Sequence, residues 1–80
     1  MSEKKISKII DIDNQIMNKY DLCSGVDMLK HKDEFIKALK NANIENITQK
    51  DYNKLEDMNY HTPLEIIIEA GMFKQNNQVN

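Results

Sequence analysis

The stretch His61-Thr62-Pro63-Leu64-Glu65-Ile66-Ile67-Ile68-Glu69-Ala70-Gly71 constrains the fold more than any other part of this chain. Thr62 can accept a hydrogen bond from a free N–H of a first helical turn. Pro63 suits the first helical position, where its missing N–H costs nothing and its φ is already helical. Glu65, three residues after Thr62, completes a capping box and meets the positive end of the helix dipole. Gly71 stands where a left-handed C-terminal cap belongs. Three successive isoleucines would also suit a strand, but the proline–glutamate start, Ala70 and the flanking caps favour a helix.

This helix is expected to be apolar on two sides. At about 100° per residue, Leu64, Ile67, Ile68 and Met72 share one side and Ile66, Ala70 and Phe73 the other, with Glu65 and Glu69 as a polar stripe. A surface helix normally carries one apolar stripe. The expectation is therefore a helix at the centre of the fold or one partly covered by a partner, with Ile66, Met72 and Phe73 as the partner-binding residues.

The rest of the chain reads as three further helices. Residues 3–20 place Ile6, Ile9, Ile10, Ile12, Ile16, Met17 and Tyr20 within an arc of about 160°. Asp13 falls inside that arc, which suggests either a bend or restart at Asp11-Ile12-Asp13-Asn14, with Asp13 as a cap, or a carboxylate at the rim of the face that meets a lysine from a neighbour. Asp21-Leu22-Cys23-Ser24-Gly25 is a break. Ser24 with Asp27 then resembles a capping box, and one helix is expected over about 26–42, the alternative being a split at His31-Lys32-Asp33. Asparagines mark 41–46 as a loop. Thr48 with Asp51 starts a helix carrying Tyr52, Leu55 and Met58. The predicted fold is an all-α, single-domain bundle of about four short helices over residues 1–73, with a disordered polar tail at 74–80. The expected core is Ile9, Ile16, Leu29, Ile36, Leu39, Leu55, Leu64, Ile67 and Ile68.

Composition narrows the function. Eighty residues make one domain, and a chain of this size buries only about 60–65% of its unfolded surface, so association with another chain would help it. The net charge is −2, and every cationic side chain apart from the two histidines is a lysine. The lack of arginine argues against reading nucleic acid. Abundant lysine, isoleucine and asparagine suggest an AT-rich genome, such as that of a low-GC bacterium or a phage. Cys23 is the single cysteine, which favours a reducing compartment, and no apolar run reaches signal-peptide or membrane-spanning length, so a cytoplasmic protein is expected.

No catalytic or metal-binding pattern emerges. Cys23, His31 and His61 fall in different elements without paired spacing, so neither a metal nor another cofactor is expected. Asp11/Asp13, Asp33/Glu34, Glu56/Asp57 and Glu65/Glu69 each have lysines nearby and read as solvated faces. Two glycines far apart make no phosphate loop.

Two local resemblances remain. Thr62-Pro63-Leu64 followed by Gly71 has the spacing of the opening turn and first helix of an ankyrin repeat. Glu65 replaces the usual histidine and no second copy occurs, so shared helix-start chemistry accounts for the match. Ile47-Thr48-Gln49-Lys50-Asp51-Tyr52 resembles the start of the helix-turn-helix of phage-type repressors, and Glu69-Ala70-Gly71 its end. That resemblance implies DNA binding through residues 48–71, with Lys50 and Lys54 on phosphates. Against it, Asn53 replaces the usual small residue, and the second helix carries three isoleucines and two glutamates where polar and basic readers are needed. The favoured expectation is a non-catalytic interaction module, a regulator or inhibitor of a larger protein, of phage or mobile-element kind. The DNA-binding regulator is the alternative. Another protein, or a second copy forming a homodimer, is the expected partner, and no membrane is involved.

Overall fold

The computed structural model describes residues 2–73; the tail expected at 74–80 lies outside the described residues. The fold is all-α. Helix α1 spans Ser2–Lys19, a 3₁₀ helix Gly25–His31, α2 Lys32–Asn41, α3 Gln49–Asp57 and α4 His61–Glu69. Helices α1 and α4 each pack against the 3₁₀ segment, α2 and α3, and scarcely against each other. The core is shared by every element, with Ile9, Met28, Phe35, Leu39, Leu55 and Ile67 all fully enclosed.

Helix α1 is uninterrupted, so the bend expected at Asp11–Asn14 does not occur. Ile6, Ile9, Ile12 and Ile16 are buried, and Asp13 is carried into the same arc at 8% exposure. Burying each isoleucine contributes roughly 1.5–3 kcal/mol, so the four together hold the helix straight past one unfavourably placed carboxyl. Tyr20, expected at the end of that arc, is 39% exposed.

The segment after the break is not one helix but two elements. Residues 25–31 wind with three residues per turn, so Gly25, Met28 and His31 line one edge. Gly25 faces Thr62, Met28 is buried and His31 lies against Tyr20. A 3.6-residue wheel cannot show this edge. Leu29 and Ile36, expected in the core, are only half-buried.

All four α-helices end in the same way. The residues Asp21, Asn43, Asn59 and Gly71 have φ of 54°, 63°, 66° and 76°. After each comes an apolar or aromatic residue whose N–H returns to the carbonyl five residues back: Leu22 to Met17, Ile44 to Leu39, Tyr60 to Leu55 and Met72 to Ile67, at 2.9, 2.9, 2.9 and 3.1 Å. These are Schellman turns, which satisfy the last carbonyls and fold an apolar side chain back over the helix end.

Helix α3 starts as expected. Thr48 Oγ1 accepts the Asp51 N–H at 3.2 Å and the Asp51 carboxylate accepts the Thr48 N–H at 3.1 Å. Helix α4 does not use the cap assigned to Thr62. Tyr60 closes the turn after α3 and its carbonyl accepts the Leu64 N–H at 3.3 Å, so α4 begins at His61, with no side-chain cap. One residue thus ends one helix and starts the next. Thr62 instead packs on Gly25, where an added Cβ would lie 2.9 Å from its Oγ1.

Helix α4 also has one buried side rather than two. Pro63, Leu64, Ile66 and Ile67 are buried, an arc of about 160°. Ile68, expected in the core, is 48% exposed beside Glu65 and Glu69, and α4 therefore lies at the surface rather than at the centre. After Gly71 the chain is tied back to the segment before α3. The Ile47 N–H donates to the Met72 carbonyl at 2.8 Å, and Ile47 and Phe73 form an isolated parallel bridge.

Candidate functional site

The three residues proposed for partner binding are committed to the fold. Ile66 and Met72 are 1% and 4% exposed. Phe73 is half-buried, its ring 5.0 Å from that of Tyr52. A side chain enclosed by its own domain presents no free surface, so Ile66 and Met72 cannot be the outward contacts that the two-sided reading required. Ile66 lies on the buried side of α4 and Ile68 on its exposed side.

Among the described residues, one open surface lies between α2 and the end of α4. Two adjoining depressions of about 310 and 480 Å³ share Asp33, Ile36 and Ala70. The first also meets Ile66, Lys32 and Glu69; the second meets Lys37, Lys40 and Asn41. Ile36 and Ala70 form the apolar floor, with an edge of Ile66 beneath. The α2 wall follows from helical spacing, since residues 32, 33, 36, 37 and 40 lie on one face. Ala70 makes the depression because its methyl group is all that α4 offers there, immediately before the left-handed Gly71. At one end Lys32 Nζ and Glu69 Oε1 stand 3.4 Å apart; Lys37 and Lys40 at the other end have no ion-pair partner among the described residues.

A second surface cluster joins α1, the 3₁₀ segment and α2. The Tyr20 and His31 rings stack with centroids 3.9 Å apart and planes 9° off parallel. The Tyr20 hydroxyl donates to Glu34, whose other carboxylate oxygen takes Lys19 Nζ at 2.8 Å. Those hydrogen bonds from Lys19 and Tyr20 hold the Glu34 carboxyl below its usual range and keep the Lys19 ammonium above its own. Lys19, Tyr20 and Glu34 are matched within the cluster, which works as an exposed clamp between elements.

No protein-family model matches the chain, and no curated protein or solved structure is significantly similar to it.

The remaining chemistry-bearing residues are dispersed. Cys23 is exposed in the loop after α1, and His61 is exposed at the start of α4. Among the described residues no group of three or more histidines, cysteines, aspartates or glutamates is placed to hold a metal, and no helix is long and apolar enough to cross a membrane. Lys50 and Lys54 are exposed on α3, while the outward side of α4 carries Glu65, Ile68 and Glu69. Sequence reasoning missed Lys37 and Lys40. Their spacing from Ile36 was visible, but not the neighbour across the gap.

Proposed function

We propose that this domain is a non-catalytic protein-interaction module, a regulator or inhibitor that docks on a larger protein through the groove between α2 and α4. The groove itself carries the reading: an apolar floor of Ile36 and Ala70 lies open between two helices, rimmed by charged side chains. An apolar floor supplies affinity, and a charged rim selects the partner and its orientation. The exposed thiol of Cys23 suits action in a reducing compartment such as the cytoplasm.

The DNA-binding alternative draws less support. Helices α3 and α4 are joined by a short turn, as in a helix-turn-helix, but the outward face of α4 carries two carboxylates and no lysine. Carboxylates there would repel the phosphate backbone that supplies most of the affinity in such complexes.

The test is affinity capture from the source cell with the wild-type chain and with Ala70→Arg. Ala70 is exposed at the C-cap of α4, so arginine fills the groove without entering the core. A partner held by the wild type and lost by Ala70→Arg is expected. Equal capture by both, or retention only on a DNA column at low salt, would overturn the reading.

A further inference from the structure

We infer that the groove receives an acidic amphipathic segment of another protein, with apolar side chains seated on Ile36 and Ala70 and carboxylates on Lys37 and Lys40. The inference rests on the reading of the domain as an interaction module and specifies what it binds. The two ends of the groove differ in charge. At the Lys32 end, Glu69 compensates the lysine at 3.4 Å, and Asp33 adds a further carboxylate beside them. At the far end Lys37 and Lys40 stand with neutral Asn41 and with Asp33, which lines both depressions, and no ion pair joins either lysine to a carboxylate among the described residues. The rim as a whole carries three lysines against Asp33 and Glu69, a net charge of +1 (3 − 2) on a chain of net charge −2. A locally positive end on an otherwise acidic domain is the pattern that orients an acidic partner and sets its direction along the groove. Affinity comes from covering Ile36 and Ala70, because exposed lysine–carboxylate pairs contribute little by themselves.

A second copy of this chain fits less well. Its acidic and apolar strip on α4 is Glu65, Ile68 and Glu69, and Glu69 already forms the groove wall and holds Lys32. Seating that strip in the groove of another copy would bring its two glutamates against the Asp33 and Glu69 already there. Nucleic acid fits poorly as well, since the floor offers no aromatic ring for a base and both Asp33 and Glu69 oppose phosphate.

The experiment is selection of a random peptide display library on the intact protein at low salt, followed by fluorescence anisotropy of the enriched peptides. Binding is measured on wild type, Ala70→Arg, Lys37→Glu/Lys40→Glu and, as a control on the opposite side of α4, Ile68→Ser. Circular dichroism confirms that each variant remains helical. The expected result is enrichment of peptides combining leucine, isoleucine or phenylalanine with aspartate or glutamate. Their affinity should fall about tenfold or more in the double lysine variant, with the largest difference at low salt, and be lost in Ala70→Arg. Ile68→Ser should bind as wild type does. Neutral or basic peptides that still require Ala70 would overturn the acidic segment while leaving the interaction module standing. No enrichment, or peptides that bind Ala70→Arg as well as wild type, would overturn both. Concentration-dependent association of the free protein, abolished by Ala70→Arg, would make a second copy the occupant and also overturn the inference.

Discussion

Lys5, in the second turn of α1, holds the buried carboxylate of Asp51 at 2.9 Å, while the same carboxylate accepts the Thr48 N–H that starts α3. Lys5 also donates to the Asn46 carbonyl at 2.9 Å, so one ammonium fixes both the loop before α3 and its first turn. Burial alone would push the Asp51 carboxyl up. Its bonds to Lys5 and Thr48 outweigh that and hold it below the ordinary carboxylate range. A depressed folded-state pKa contributes stability above the unfolded value and loses it as pH falls through the folded one. Asp51→Asn should therefore cost about 1–3 kcal/mol near neutral pH. The gap to wild type should narrow toward about pH 3 in urea denaturation. A loss of the same size at both pH values would mean that ionisation contributes nothing.

Asp13 behaves in the opposite sense. Burial pushes its carboxyl above the usual range. A raised pKa means the folded state binds the proton more tightly, so ionisation at rising pH destabilises the fold. Asp13→Leu should stabilise the domain by on the order of 1 kcal/mol at neutral pH through removal of the desolvated charge and gain of apolar contact. The gain from removing the charge should vanish as pH falls below the carboxylate range. Thermal melts at both pH values check it; a destabilised variant at neutral pH would reveal a favourable role for the charge.

Gly71 has φ +76° and open space where a Cβ would be built. The penalty for Gly71→Ala is then backbone strain alone, about 1 kcal/mol, and Gly71→Asn should cost less because asparagine visits this region more readily. Equal losses in urea denaturation would contradict the assignment.

Ile66 and Ile68 separate the two descriptions of α4. Ile66→Ala should cost roughly 2–5 kcal/mol, as a large-to-small change in a packed core does. Ile68→Ala should remain within about 0.5 kcal/mol of wild type apart from its small propensity gain. Similar losses at both positions would restore the two-sided helix.

Gly25 and Thr62 form a close contact that a double-mutant cycle can isolate. Gly25→Ala should destabilise by about 1 kcal/mol because its methyl group meets Thr62 Oγ1 at 2.9 Å. In a Thr62→Ala background the same change should be nearly neutral, the two sites being in contact and so non-additive.

Much of the fold was legible before any coordinates. The Thr48–Asp51 capping box, the left-handed Gly71, the isoleucine face of α1 and the all-α class all appear as expected. Thr62 misled because Tyr60 was already fixed by the turn after α3, which left the next helix to begin at His61. The 3₁₀ segment misled because its apolar edge repeats every three residues. For the candidate site, Ala70 and Ile66 were placed on one side of α4, but Lys37 and Lys40 had no reason to be grouped with them.

The sequence by itself determined the all-α class, the Thr48–Asp51 start of α3 and the left-handed end of α4 at Gly71, because a capping box or a Schellman turn closes within about six residues. Only the tertiary structure decided which side of α4 is buried and where the groove lies. Ile66 and Ile68 are equally apolar, and the choice between them depends on where the 3₁₀ segment, α2 and α3 come to rest. Ala70 becomes a groove floor only because Ile36 stands across from it, through packing between residues far apart in the chain.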